Sequence, residues 1–322
     1  MADILTLGEL LVDLTQTGVN EQRVRQYAAN PGGAPANVAV ALSRLGVQAG
    51  FVGKVGADTF GRDLRAVLVR SGVDTRFLYE TADALTTQAV VSVSPEGERS
   101  FAFYRSPGAD TLLTTEEVLA ALESLPRILH IGSVSLTAEP VRSATLAAAE
   151  SARARGGLVS YDPNYRAALW PDERTAVAWM KRPLAMTDIL KLSDEELPLL
   201  TGTDDPSAGT KILAEYGVRL VLLTLGSKGT FYRFGGLTGA VPSVKIRVAD
   251  TNGAGDTFLG ALLRGLTLRA GDPFEGLTAD ELERLIRFAN CAAALTCTRP
   301  GAIPAMPTLE EVEVFSNAII DS

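Results

Sequence analysis

The stretch "DTNGAGDTF", residues 250–258, sets three small residues, Gly253, Ala254 and Gly255, directly before an acid, Asp256, and a long apolar run. Small residues at the start of a helix leave its first backbone N–H groups open to a ligand at the positive end of the helix dipole, an arrangement that holds an anion. Two common phosphate loops are excluded. A Walker loop ends in Gly-Lys-Ser/Thr, absent here, and a dinucleotide loop needs a third small residue where this chain has Phe258. A carboxylate beside an anion hole can accept the proton of a hydroxyl attacking a phosphoryl group; the same carboxylate alone would only complement the dipole of its first helical turn. The dipole is expected to keep Asp256 ionised.

Other polar stretches stand where strand-like segments end. Asp13 follows the first strand, "NPGGAPANVAVALSRLG" (30–46) enters the first helix, and "YDPNYR" (161–166), "KLSDEE" (191–196) and "TLGSKG" (224–229) follow later strands. Ligands of open α/β sheets collect outside the carboxyl ends of the strands, which gives these residues weight as a group. Singly, each has a structural reading. Asp162-Pro163-Asn164 is turn chemistry, Asn37 can satisfy backbone donors in a first turn, and Ser193 and Asp194 can cap a helix favoured by Glu195 and Glu196.

The elements that must position these residues alternate between strand and helix, the pattern of an α/β fold with a mostly parallel sheet. Strands are expected at 4–7, 50–53, 127–131, 158–161, 189–192, 220–225 and 244–248, and the clearest helices at 36–45, 141–155, 254–268 and 282–295. Two stretches, 11–27 and 86–105, read as strands with no helix between them, the second as a hairpin about Pro95-Glu96-Gly97, and together predict a small sheet standing off the main layer.

Composition narrows the function. With 322 residues, 46% hydrophobic and 21% charged, the chain can bury one large core. Its formal net charge of −8 gives no basic surface for nucleic acid, so a phosphate must be bound by local geometry. No apolar run reaches membrane-spanning length and the start, "MADILTLGEL", lacks a signal-peptide pattern, so a cytoplasmic address with no membrane partner is expected. Cys291 and Cys297, the only cysteines, read as buried reduced thiols, and the single histidine, His130, as structural.

"DTNGAGDTFLGALL" and "NPGGAPANVAVALSRLG" resemble the two signatures of the ribokinase or PfkB family of sugar kinases, in the family's order and some 220 residues apart. "YDPNYRAALW", "KLSDEELPLLTG" and "RPGAIPAMPT" are most similar to its fructokinase branch. The resemblance implies a single ribokinase-like, three-layer α/β domain over 1–322, with a β-sheet lid formed by roughly 11–27 and 86–105. It implies an ATP-dependent sugar kinase, most similar to enzymes that make fructose 6-phosphate. The alternatives are a 2-keto-3-deoxygluconate kinase and a non-catalytic sugar- or nucleotide-binding regulator. It carries roles over by position. Asp256 is the base, and Gly253, Ala254 and Gly255 steady the moving phosphoryl group. Asp13, Gly32, Gly33 and Asn37 meet the sugar, joined by Arg105 and Arg166 once a lid closes. Lys191, Thr224, Gly226, Gly229 and Asn290 belong to the nucleotide side. Glu196 is the acid of an Asn-x-x-Glu motif that arranges Mg²⁺ through water; Ser193 replaces the asparagine. Asp250, Asn252 and Gly301 match a monovalent-cation site, with K⁺ as the ion, although Ala305 stands where some relatives have serine. Partners are then the sugar and ATP, with a homodimer formed through the lid.

Overall fold

A computed structural model describes residues 2–93 and 99–320. The strands, in chain order, are β1 (Ile4–Leu7), β2 (Leu11–Val19), β3 (Arg25–Gly32), β4 (Ala49–Gly56), β5 (Asp74–Thr81), β6 (Gln88–Val93) and β7 (Arg99–Tyr104). They continue as β8 (Ile128–Gly132), β9 (Leu158–Asp162), β10 (Ile189–Ser193), β11 (Leu220–Thr224), β12 (Thr230–Phe234) and β13 (Leu237–Val241). The α-helices are α1 (Ala34–Arg44), α2 (Thr59–Arg70), α3 (Thr115–Ala121), α4 (Val141–Ala154) and α5 (Glu173–Met180). Then come α6 (Glu196–Thr201), α7 (Pro206–Ala214), α8 (Ala254–Thr267), α9 (Ala279–Cys297) and α10 (Leu309–Ile320).

Nine strands form the main sheet in the order β13-β12-β11-β10-β9-β8-β1-β4-β5. Every neighbouring pair from β11 to β5 is parallel, and β12 and β13 add an antiparallel edge. Strands such as "ILHIG" and "LVLLT" are almost continuously apolar because both faces are covered, as parallel sheets require. The period of two sorts their residues. Leu5, Leu129, Leu190 and Val221 join the core beneath α3, α4, α5, α6 and α7, while Ile4, Ile128, Ile189 and Leu220 join the core beneath α1, α8, α9 and α10. That is the three-layer α/β architecture. Among the described residues no helix is long and apolar enough to cross a membrane.

The separate small sheet has the order β3-β2-β6-β7: two antiparallel pairs, β2 with β3 and β6 with β7, joined by a parallel pairing of β2 with β6. It matches the expectation for 11–27 and 86–105, except that β3 runs on to Gly32 and so delivers the chain directly into the Gly32-Gly33 turn. The expected turn Pro95-Glu96-Gly97 lies outside the described residues. Asp13 does not follow β1 as a loop residue; it is the third residue of β2, opposite Asn30.

One expected strand is absent. Residues 244–248 alternate apolar and polar side chains but pair with nothing, because after Val241 the chain leaves the sheet edge. The Asn290 amide holds the carbonyls of Val241 and Pro242, and Ala249 and Asp250 donate to the Cys297 carbonyl at the end of α9. Conversely, β12 and β13 form a hairpin about Gly235-Gly236 that the sequence expectations omit, although a Gly-Gly pair between two β-rich runs is its signal. Helix α9 begins at Ala279, ahead of the expected 282, because Thr278 and Glu281 make a capping box.

Candidate active site

Helix α8 starts at Gly253, whose φ of 76° is left-handed and whose Cβ would stand 2.9 Å from the Ala302 side chain, so only glycine fits the entry. The first N–H groups of a helix have no partner inside it, and Gly253 and Asp256 line the same cleft as Glu9 and residues 164–169, which follow strands of the main sheet. Asp256 is the third residue of α8. An acid serving only its own helix would turn back on that turn; instead its Oδ2 accepts the Asn37 side-chain amide of α1 at 2.8 Å. Both residues are buried. Burial pushes the Asp256 carboxyl up to about 6, Asn37 opposes this, and Asp162 raises it further while Lys191 and Arg166 lower it. The dipole therefore does not dominate, as the sequence suggested it would; burial does, and the result is a carboxylate still ionised at neutral pH with a greater affinity for a proton.

Around Asp256 opens a cleft of about 860 Å³ lined by strands of the small sheet and by segments that follow strands of the main sheet, such as Glu9 and residues 164–169. Asp13, Gly33, Asn37 and Arg166 line it, as expected for the sugar side, and so do Phe103 and Tyr165. Burial pushes Asp13 up to about 6, partly relieved by the charge of Arg166 and reinforced by that of Asp256, and burial pushes the lining Glu9 up to about 7, so three carboxylates of raised proton affinity share the cleft. Gly32 leaves the space the Asp13 carboxylate occupies: a Cβ there would fall 2.2 Å from Asp13 Oδ2. At Gly33, φ is 109° and a Cβ would fall 2.3 Å from the Glu9 carbonyl oxygen. Arg166 lies exposed at the rim, donating to the Tyr165 carbonyl.

Glu9 is a lining residue that the sequence reading misses. Its Oε1 accepts the Ala34 N–H at 2.9 Å, standing in for the capping side chain that Gly33 cannot offer α1. Its Oε2 and the Asn37 Oδ1 are buried without a protein partner, which suits both to the hydroxyls of a polar ligand. The signal was its place immediately past β1. Arg105 is not brought to the cleft. It is held by Asp110 at 2.7 Å and donates to the Thr137 hydroxyl and the Val134 carbonyl, so its guanidinium fastens the base of the β6–β7 hairpin to the main body.

On the other side of Asp256, Lys191 projects from β10 to within 2.9 Å of where a Gly255 Cβ would stand, beside the first turn of α8. It pairs with Asp162 Oδ2 at 2.8 Å. Burial pulls its ammonium down, but Asp162, Glu196 and Asp256 outweigh this and hold it charged. Glu196 is buried and engaged: Oε1 accepts the Tyr165 N–H, and Oε2 accepts the N–H and hydroxyl of Ser193. An oxygen with one such donor keeps a lone pair for water, which fits an ion that retains its waters. Among the described residues no three His, Cys, Asp or Glu side chains cluster to cage a metal. Asp250, Asn252 and Gly301 do come together at the cleft rim, where Asp250 accepts the N–H groups of Asn252 and Gly301. Thr224 ends β11 and Gly226 and Gly229 form the turn after it. Asn290 is buried apart from the cleft, its amide shared between Thr230 and the carbonyls of Val241 and Pro242. It shapes the turn from behind. His130, buried in β8 against Ser160, is driven down to about 3 chiefly by burial and is a neutral core residue.

The geometry has counterparts among known proteins. A family model described as pfkB family carbohydrate kinase matches residues 1–309. Fructokinase-1 of Oryza sativa subsp. japonica is 45% identical over 315 residues, 97% of this chain and 96% of its own, and Fructokinase-1 of Zea mays is 44% identical over 312. A Xylella fastidiosa fructokinase solved with bound ATP superposes with a TM-score of 0.92 at 34% identity, covering 99% of this chain and 100% of that one. A Vibrio cholerae O395 fructokinase double mutant, solved with fructose, ADP and potassium ion, superposes at 0.86 with 34% identity and 97% of each chain.

Proposed function

Because the chain belongs to the pfkB family of carbohydrate kinases, we propose that it is a fructokinase, which moves the γ-phosphoryl group of ATP to the 6-hydroxyl of fructose with Asp256 as the base. The observation that carries this reading is the Asn37–Asp256 hydrogen bond, which places a buried carboxylate between a cleft of polar groups and an open helix N-terminus. Asp13, Asn37 and Glu9 orient the sugar, and Asp256 takes the proton of the attacking hydroxyl. The first turn of α8 and Lys191 offset the charge that develops on the moving phosphoryl oxygens. Thr224, Gly226 and Gly229 belong to the nucleotide side. Mg²⁺ bound by the nucleotide, with Glu196 reached through water, supplies further charge neutralisation, and Asp250, Asn252 and Gly301 suit a monovalent cation at the rim. A cytoplasmic address belongs to the same reading.

A panel of sugars with ATP tests the substrate. Fructose is expected to exceed 2-keto-3-deoxygluconate in kcat/KM by at least roughly tenfold, about 1.4 kcal/mol of differential transition-state binding. The supporting feature is that Arg105 is spent on Asp110, which leaves Arg166 as the arginine at the cleft instead of a pair able to grip a carboxylate from two sides. A reversed preference overturns the fructose assignment, and no turnover of any sugar favours a binding regulator.

The small sheet is proposed as a lid over the sugar and as the face of a homodimer. Its strands contribute Asp13, Thr15, Ala89 and Phe103 to the cleft, and they expose Val19, Tyr27 and Tyr104, side chains that a second copy of the sheet can cover. Light scattering at micromolar concentration is expected to give the mass of a dimer, and fructose is expected to slow hydrogen exchange in β2, β3, β6 and β7. A monomer removes the dimer, and unchanged exchange removes the closure.

A further inference from the structure

The two halves of the cleft are joined by a residue to which the reaction itself gives no part. Asp162 ends β9, is 2% exposed, and divides its carboxylate between them. Oδ1 accepts the N–H of Asn164 at 3.1 Å, in a turn that Asn164 completes with a left-handed φ of 44°. The next two residues, Tyr165 and Arg166, line the sugar cleft. Oδ2 holds the Lys191 ammonium at 2.8 Å, beside the first turn of α8. A buried lysine keeps its charge only beside acids, and a long flexible side chain keeps one position only when a partner fixes it. Asp162 meets both needs.

We propose that Asp162 is a positioning residue that couples the two subsites, one oxygen setting the 164–166 turn against the sugar and the other holding Lys191 against the phosphoryl group in transit. Lys191 has further acids about it, Glu196 and Asp256, yet Asp162 is the one in contact. Glu196 binds the same turn through the Tyr165 N–H at 2.7 Å and the Ser133 N–H donates to the Pro163 carbonyl, so the turn has other anchors while the lysine is held by Asp162. The asymmetry has a consequence. Loss of the Asp162 charge releases the lysine fully and the turn only in part.

The inference rests on the sugar-kinase reading, and wild-type turnover of fructose with ATP, measured first, separates the two: without that turnover it is the kinase reading that fails. Asp162→Asn keeps an oxygen for Asn164 and removes the charge that holds Lys191. It is expected to lower kcat by roughly 10- to 100-fold while the KM for fructose stays within about threefold. Asp162→Ala cuts both links and is expected to raise that KM by a further fivefold or so. A double variant, Asp162→Asn with Lys191→Met, removes both members of the ion pair together. It serves if a single variant does not fold, and its kcat is expected to equal that of Lys191→Met alone. The proposal is overturned by Asp162→Asn retaining kcat within twofold, by a fructose KM that rises as far in Asp162→Asn as in Asp162→Ala, or by a double variant tenfold slower than Lys191→Met.

Discussion

Asp256→Asn is expected to lower kcat by roughly 10²-fold or more, about 2.7 kcal/mol of transition-state stabilisation, while ATP affinity stays within about threefold. The amide is nearly isosteric and can still meet Asn37 after a flip of either group, so the cleft keeps its shape and loses the proton acceptor. Steady-state rates with calorimetric ATP binding separate the two effects, and turnover near that of wild type would remove Asp256 from the chemistry. The pH dependence has a definite sign. A base works when deprotonated, and burial raises the Asp256 carboxyl to about 6, so kcat/KM is expected to be full above that value and to fall as pH drops through it. Asp13 is raised to about 6 as well and feels the charge of Asp256, and burial raises the sugar-side Glu9 to about 7, so the acid limb reports this set of carboxylates rather than one group. An acid limb near 4 would mean that none of these carboxylates is buried in the working enzyme.

Gly33→Ala is the second large effect. The added methyl meets the Glu9 carbonyl at 2.3 Å and the Leu10 Cα at 3.1 Å, backbone atoms that no rotamer change can move aside. The φ of 109° is itself unfavourable for alanine, a strain of about 1 to 3 kcal/mol before any clash is counted. Relief requires moving the start of α1, which carries Asn37, or the segment between β1 and β2, which carries Glu9. The variant is expected to lose several degrees of melting temperature and to raise the KM for the sugar at least about tenfold, with a smaller change for ATP. Thermal melts and initial rates check both, and a variant with normal melting and normal KM would show that this turn does not set the sugar groups.

Much of this site was legible because its residues lie in two long local patterns, "NPGGAPANVAVALSRLG" and "DTNGAGDTF", whose glycines, helix starts and acid each have a local physical reason. The parallel strands were legible because burial on both faces makes them plainly apolar. What stayed hidden depends on partners distant in sequence. Arg105 reads as a cleft residue until Asp110, Thr137 and Val134 are seen to consume its donors. Asp162 reads as turn chemistry, which half of its carboxylate indeed performs, while the other half meets a lysine from the neighbouring strand. Residues 244–248 have the alternation of a strand but pair with none, because after β13 the chain turns away to contacts with Asn290 and Cys297 that lie some 40 residues on and that nothing nearby reveals. Glu9 is a short acid-bearing turn like many others until the unpaired oxygen beside Asn37 marks it.

The bond between Asn37 and Asp256 joins residues 219 positions apart. On a ribosome adding about 5 to 20 residues per second, roughly 10 to 40 s pass between the synthesis of the two. During that interval Asn37 has no carboxylate at position 256 to bind. On the proposal that Asp256 is the base, a truncated or stalled product that ends before α8 lacks the capacity to consume nucleotide by this route, whatever part of the sheet it contains.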